Sequence, residues 1–307
     1  MNGGYRRAIP YAADDTPDRL WAGSGQLCLF SQRWRERRES YRPTGEPINP
    51  RLYEVAELAG DREAKAFILA HHYSASYPSA RVRFGLFTGG RLVGIAVFSH
   101  PCNDRVLTSV FPLSPLDSVE LGRFVLLDSV PANGESWFLA RAFECLRRNG
   151  LAGVVSFSDP VPRTTADGTI VHRGHAGICY QATAATYLGR TEPRTVRLLP
   201  DGTVFNDRAI QKIRSGEQGW QYAAALLERF GAAPAPREGR EGWLRTWLPR
   251  LTRPLRHTGN HKYAWALQRG ARRFLPDSLP YPKHGGLLDG PPFSLIRASD
   301  FVIVRPK

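Results

Sequence analysis

Cysteine and methionine are scarce in this 307-residue sequence, which contains four cysteines and one methionine. The cysteines, Cys28, Cys102, Cys145 and Cys179, are widely separated and form no Cys-x-x-Cys pair. A disulfide framework or a structural zinc site needs closely organised cysteines, so the sequence predicts neither. We therefore expect a protein of the reducing cytoplasm.

Long apolar segments and familiar phosphate-binding motifs are also missing. No run is long enough to span a bilayer and no apolar leader segment lies near the N-terminus, so we expect neither a membrane protein nor a secreted one. A P-loop, a Gly-x-Gly-x-x-Gly motif and a Gly-x-Ser-x-Gly elbow do not occur. These absences argue against P-loop, dinucleotide-binding and serine-hydrolase chemistry.

Positive charge is what the sequence has in excess. The formal net charge is +14, and the cations comprise 37 arginines and only five lysines. Such a surplus favours a polyanionic partner, because cations that neutralise phosphates release counterions. A basic surface without that role is the alternative, and a membrane surface is less favoured because no long basic amphipathic helix stands out.

A strand, a turn, a helix and a second strand follow one another between residues 119 and 159. The apolar runs Val119–Asp128 and Leu151–Phe157 flank the helical pattern Glu135–Arg148, as expected for two parallel strands joined by a crossover helix. Upstream, Arg81–Phe87 and Arg91–Ser99 predict an antiparallel hairpin. The result is an α/β (α+β) fold with a mixed sheet flanked by helices.

Three parts of the chain differ in composition. Residues 1–50 form a basic arm whose run Ser31–Arg38 predicts a nucleic-acid-binding arm, a solvated helix face or a flexible arm. Residues 51–195 are the predicted catalytic domain. Residues 196–307 are a basic, aromatic-rich extension, mostly helical or irregular, in which Trp243–Arg273 is expected to contact DNA.

Polar side chains at the ends of these elements are the candidates for chemistry. His72 and Tyr73 end a helix, where they supply a base and a hydrogen-bonding phenol, or else a helix-end histidine and packing. Arg123, inside an apolar strand, is a fixed cation for an anion or a member of a structural ion pair. Glu120, three residues earlier, is expected on the opposite strand face.

Further candidates follow the next strand ends. The turn at residues 131–136 begins a helix, where backbone N–H groups attract anions, although an ordinary capped turn fits equally well. Asp159 is a base or an Asx-turn residue. Tyr180 and Gln181 are able to reach a base edge, or they are a core residue and a cap. His100-Pro101-Cys102 has no evident partners for a metal.

Together these segments resemble the phage Mom-type DNA modification proteins. The resemblance rests on motifs in the same order along residues 52–270: His72-Tyr73, Glu120-Leu-Gly-Arg123, Asn133-Gly-Glu-Ser-Trp137, Ser156-Phe-Ser-Asp159, Gly174-His-Ala-Gly177, Tyr180-Gln-Ala-Thr183, Tyr187-Leu-Gly189 and Gly259-Asn-His-Lys-Tyr263.

The resemblance implies an acyltransferase fold similar to the GCN5-related N-acetyltransferases. It implies a transferase that modifies the exocyclic amine of adenine in double-stranded DNA, protecting a phage genome from restriction in the host cytoplasm. By resemblance, the catalytic residues are His72, Tyr73, Arg123, Asp159 and Tyr180. Asn133, Gly134, Glu135 and Ser136 would bind the donor, and Gln181, His261, Lys262 and Tyr263 would contact DNA.

The donor and any metal are less defined by the resemblance. It implies acetyl-CoA or another small acyl or amino-acid donor, and iron has been associated with this type of protein. This sequence has no clear iron-ligand set, so no metal residues are assigned. An acetyl-CoA-dependent transferase for a protein or small-molecule amine, and a non-catalytic DNA-binding protein on the same scaffold, are the alternatives.

Overall fold

The structure is a computed structural model that describes residues 30–282 and the short strand Tyr5–Arg6. Its strands, in chain order, are β1 Tyr5–Arg6, β2 Phe30–Arg35, β3 Arg38–Pro43, β4 Glu54–Leu58, β5 Ala80–Thr88, β6 Arg91–Ser99, β7 Ser118–Leu126, β8 Gly153–Ser158, β9 Arg163–Thr164, β10 Ile170–His172, β11 Thr186–Arg190, β12 Arg194–Leu198, β13 Val204–Phe205, β14 Arg253–His257 and β15 His261–Ala266. The helices are α1 Asp61–His71, α2 Arg105–Thr108, α3 Gly134–Arg148, α4 Ile178–Ala182, α5 Asp207–Ser215, α6 Trp220–Glu228 and α7 Arg240–Leu251.

The main sheet has eight strands in the order β1-β4-β5-β6-β7-β8-β15-β11. Its neighbouring strands are antiparallel except for β7 and β8, which are parallel and are joined by α3. The predicted α/β class with a mixed sheet is confirmed, as are the β5–β6 hairpin and the strand–helix–strand unit. The closer likeness to N-acetyltransferases stays a prediction.

Helices cover both faces of this sheet, because consecutive residues of its central strands are apolar and project to opposite faces. Phe98 and Val154 pack in the same cluster as Phe138 of α3. On the opposite face, Val97 packs in a cluster with α1, and Val155 packs in a cluster with α2. The α1 and α2 clusters therefore lie on the same side of the sheet, across from α3.

The arginine-rich run Ser31–Arg38 is part of a β-hairpin and not a helix. Strands β2 and β3 pair throughout, and the tip residues Glu36 and Arg37 have positive φ angles of 48° and 68°. Two consecutive positive φ angles are typical of the turn that joins tightly paired antiparallel strands. The solvated helix face expected as one alternative is therefore wrong, and Trp34 is buried against the body of the protein.

The C-terminal third contributes to two regions. Helices α5, α6 and α7 share a core of their own, which includes Trp243 and Leu244. Strand β15 then returns to the main sheet and pairs with both β8 and β11. The predicted division after residue 195 thus separates β11 from its neighbour β15 in one sheet. No helix among the described residues is long and apolar enough to cross a membrane.

Candidate active site

The parallel strands β7 and β8 stop pairing before either strand ends. Their ladder runs from the pair Ser118–Gly153 to the pair Leu121–Ser156. Beyond that point β7 remains bonded to β6, while β8 remains bonded to β15. The carboxyl ends of the two parallel strands therefore part, and ligands of α/β proteins commonly bind at such ends.

A β-bulge at Gly122 decides which side chains face this opening. Leu121 pairs with Phe98 and Arg123 pairs with Val97, so Gly122 is the extra residue. A Cβ at Gly122 would lie 2.5 Å from Ser99 Oγ, which favours glycine there. Because a bulge interrupts the alternation of side chains, the expectation that Glu120 and Arg123 point to opposite faces is wrong.

The pairing partners show that Glu120 and Arg123 share the α1/α2 face. Glu120 is opposite Val155 and Arg123 is opposite Val97, and directly paired residues project to the same side of a sheet. Burial raises the pKa of the Glu120 carboxyl, and the charge of Arg123 opposes that rise. Among the described residues, no hydrogen-bond donor contacts the Glu120 carboxylate.

Arg123 is a half-buried cation whose described contacts are all neutral. Its Nε donates to Ser76 O at 2.8 Å, one terminal nitrogen donates to Ser76 Oγ at 2.6 Å, and the other donates to Gly122 O. Within residues 30–282 no carboxylate lies within ion-pair distance of this guanidinium. Burial lowers the pKa of Arg123, while Tyr73, Glu120 and Tyr180 are close enough to oppose that effect.

Tyr73 lies inside a cluster of rings rather than facing an open cavity. Its ring stacks on His72 at 4.4 Å and on His172 at 4.5 Å, and the Trp34 ring lies 4.6 Å away. The Arg163 guanidinium lies 5.5 Å from the same ring. These neighbours leave little of the Tyr73 ring free for stacking with a further ring.

His72 is buried and neutral. The backbone N–H of Ser74 donates to its Nδ1 at 3.1 Å, so the ring proton is on Nε2. Burial and nearby cations, Arg123 first among the charges, hold the pKa of His72 well below its usual value. Its ring is therefore a hydrogen-bond donor at Nε2 and is poorly placed to accept a proton there.

Asp159 is saturated by structural partners. Its carboxylate accepts from His257 Nε2 at 3.0 Å, from Val161 N at 3.0 Å and from the Arg163 guanidinium. Burial by itself would raise the pKa of Asp159, but the His257 hydrogen bond and the Arg163 charge hold it well below its usual range. A carboxylate that binds protons this weakly is a poor general base.

Tyr180 contacts the opening from the α3 side of the sheet. Only 6% of it is exposed, and its ring packs edge-on against Tyr263 at 5.5 Å and Trp265 at 5.4 Å. Burial raises the pKa of its phenol, and a hydrogen bond with Ser156 opposes the rise. The structure therefore brings His72, Tyr73, Arg123 and Tyr180 together around the strand ends, with Asp159 held behind them.

Several residues that complete this site were not assigned from the sequence. His172 and Trp34 form part of the ring cluster, Arg163 neutralises Asp159, and His257 binds the same carboxylate. The spacing Asp159–Arg163 and the long loop containing His172 were the only sequence signals. Trp34 and His257 come from distant parts of the chain, and nothing local in the sequence connects them to the site.

A family model describing the Mom protein family matches residues 53–283, well over half of the chain. The chain belongs to the Mom protein family. Its function is therefore the modification of phage DNA, and DNA is its partner. A search of curated proteins found no match.

The side chains of the turn expected to bind the donor already have protein partners in this Mom family member. Glu135 pairs with the guanidinium of Arg33 at 3.3 Å, and Asn133 Oδ1 accepts from Ile48 N at 2.7 Å. Ser136 Oγ donates to Asn133 O, and a Cβ at Gly134 would lie 2.5 Å from Val130. These residues do not fit a bound CoA diphosphate, so that expectation is not supported by the geometry.

The residues expected to touch DNA are mostly enclosed. Tyr263 and His261 are buried strand residues of the main sheet, and His261 Nδ1 bonds with Tyr187 Oη at 2.7 Å. Gln181 donates to Ala176 O at 3.1 Å and is partly buried. Lys262 donates to Ser109 Oγ at 3.2 Å and keeps an exposed amine. Of these four residues, only Lys262 has a charged group at the surface.

Two tryptophans of the segment Trp243–Arg273 are core residues, and several of its arginines are exposed. Trp243 and Trp265 are buried, and the expectation that the segment Trp243–Arg273 contacts DNA stays a prediction. Exposed arginines follow in the same segment, namely Arg245, Arg250, Arg256, Arg269, Arg272 and Arg273. These cations give the segment an exposed positive charge.

The iron associated with Mom-type proteins finds no ready ligand set here. In the part of the chain that the structure describes, no three His, Cys, Asp or Glu residues are grouped to hold a metal ion. His100 and Cys102, the pair noted in the sequence, lie near each other in the chain, and Cys102 is exposed.

Proposed function

We propose that this protein transfers a small acyl-derived group to an exocyclic amine in DNA, with adenine N6 as the acceptor, and so protects a phage genome from restriction. The observation that carries the proposal is the pair Glu120 and Arg123 on one sheet face. Among the described residues, the Glu120 carboxylate has no hydrogen-bond donor and the Arg123 guanidinium has no carboxylate partner. They lie where the strands part in a member of a DNA modification family. Such a pair combines proton acceptance with anion binding.

The target base must leave the duplex, because its amine is otherwise inside the stacked helix. Tyr73 is enclosed by other rings, so it positions the neighbouring groups and does not stack the base. Ser76 is exposed, and its carbonyl and hydroxyl oxygens accept hydrogen bonds from the Arg123 guanidinium. An incoming anion would replace these two neutral acceptors with a charged one.

The amine nitrogen attacks the electrophilic carbon of the donor, and a C–N bond forms. The bond between that carbon and its leaving group breaks, and the leaving group departs with the electron pair. Glu120 accepts the proton lost by the amine, since burial already makes its carboxyl pKa higher than usual. Arg123 holds the anionic group of the donor, and Asp159 keeps Arg163 and His257 in place.

The test is the nucleoside composition of plasmid DNA from cells that express the protein. We expect a modified deoxyadenosine by mass spectrometry with the wild type and none with Glu120→Gln or Arg123→Met. Both variants should retain salt-dependent DNA binding, because neither residue is on the exposed basic surface. Unmodified DNA from cells expressing a folded wild-type protein would favour the non-catalytic alternative and overturn the proposal.

A further inference from the structure

The hairpin formed by β2 and β3 places a cation in the first turn of α3. Arg33 is fully buried, and its terminal nitrogen donates to Pro131 O at 2.9 Å and to Ala132 O at 3.2 Å. The same guanidinium lies 3.3 Å from the Glu135 carboxylate. This hairpin precedes residue 53, where the match to the Mom family begins.

This arrangement changes what a ligand would meet at the helix start. Free N–H groups at a helix N-terminus attract phosphate, but here the buried guanidinium of Arg33 is bound to the carbonyl oxygens of Pro131 and Ala132, and it pairs with the Glu135 carboxylate. Glu135 adds a carboxylate whose pKa burial raises and Arg33 opposes, and Ser31 donates to it at 3.4 Å. A diphosphate at this turn would meet the Glu135 carboxylate, which repels it, beside a cation that is already paired.

Other contacts hold the hairpin in place along its length. Trp34 packs against Tyr73 and His172, and Gln32 donates to Gly174 O at 3.3 Å. On the second strand, Ser40 Oγ donates to Asp128 Oδ1 at 2.7 Å. Lifting the hairpin would break all of these contacts together, so it forms a fixed wall of the site.

We infer that Arg33 is a specificity-determining residue that closes the diphosphate subsite at α3, so that the donor is a small activated acyl compound without a nucleotide diphosphate bound there. The inference rests on the proposed function for the existence of a donor. It makes the N-terminal hairpin, outside the family match, part of the machinery that selects that donor.

The decisive measurement uses the full chain with acetyl-CoA and CoA at millimolar concentration. We expect no heat of binding by calorimetry and no change in amide hydrogen exchange in β2 or the first turn of α3. Binding of CoA accompanied by new protection at that turn, or by faster exchange in β2, would overturn the inference.

A paired variant extends the test without leaving a buried charge. Arg33→Ala with Glu135→Ala removes both charges together with the side-chain volume that closes the subsite, and Arg38→Ala is the matched control at an exposed arginine. We expect CoA to bind measurably to the double variant only, while the wild type and the control stay below detection. Equal CoA binding by all three proteins would show that Arg33 does not set specificity.

The two proposals fail in different ways. If the wild type binds no CoA and its DNA carries no modified nucleoside, the proposed function fails while the closed subsite stands. If the DNA is modified and CoA binds at the first turn of α3, the inference about Arg33 fails while the proposed function stands.

Discussion

Replacing Asp159 by Asn separates a structural carboxylate from a catalytic one. Asp159 neutralises Arg163, whose side chain is 8% exposed, and accepts from His257, whose side chain is 4% exposed. Removing one partner of a buried ion pair costs about 3–5 kcal/mol. Asn retains a carbonyl oxygen for one of the former donors, so we expect a loss of about 3 kcal/mol in the free energy of unfolding at neutral pH.

The pH dependence of that loss follows from the direction of the pKa shift. The folded-state pKa of Asp159 lies below its unfolded value, so its stabilisation is complete above the unfolded pKa of about 3.9. It is lost as the pH falls through the folded-state pKa. The difference between wild type and Asp159→Asn should therefore be constant near neutrality and shrink in strong acid.

Glu120→Gln is the contrasting variant. Burial raises the folded-state pKa of Glu120, so the wild type loses stability as the pH rises through and above the unfolded pKa of about 4.3. Glutamine removes that cost. We expect Glu120→Gln to be at least as stable as the wild type at neutral pH and yet unable to modify DNA.

Urea denaturation followed by tryptophan fluorescence, with nucleoside mass spectrometry on the same variants, supplies both measurements. Two results would refute the reasoning. One is a Glu120→Gln protein that modifies DNA to the same level as the wild type. The other is an Asp159→Asn protein that is as stable as the wild type but inactive, because it would make Asp159 the proton acceptor.

Four further outcomes are expected. Trp34→Ala should lower the level of DNA modification, and Trp34→Phe should retain most of it, because an aromatic ring at this position supports Tyr73. If Trp34→Ala were as active as the wild type, the hairpin would have no role in the site. Arg123→Lys should reduce modification strongly with an unchanged circular dichroism spectrum, since one ammonium cannot replace a planar guanidinium. Tyr263→Phe removes the hydroxyl that donates to Ala176 O, so the free energy of unfolding measured with urea should fall by about 1 kcal/mol and DNA affinity should stay unchanged. Arg269→Ala with Arg272→Ala should weaken DNA binding for all sequences and reduce the slope of log K against log salt by about 2 in fluorescence anisotropy.

Local patterns explain why much of the main sheet could be predicted. The β5–β6 hairpin is specified by alternating apolar residues around Thr88-Gly89-Gly90, and α3 by its apolar spacing between two turns. The motif order also identified the family, which the match to residues 53–283 confirmed. These signals depend only on residues that are neighbours in the sequence, so they can be recognised before the fold is known.

Pairing between strands that are far apart in the sequence could not be predicted from local patterns. Nothing near His261 indicates that β15 inserts between β8 and β11, because a short apolar strand fits many partners equally well. The bulge at Gly122 reversed the expected orientation of Arg123 relative to Glu120, since one extra residue shifts every side chain that follows.

The sequence by itself determined the mixed α/β class, the strand–helix–strand unit and the family, because each depends on periodicity, turns or motif order. Only the tertiary structure decided the chemical state of the site. It paired Asp159 with Arg163 and His257, it left Arg123 facing neutral acceptors, and it buried Arg33 at the start of α3. The availability of a charged group depends on the partners that folding brings to it, and those partners lie far away along the chain.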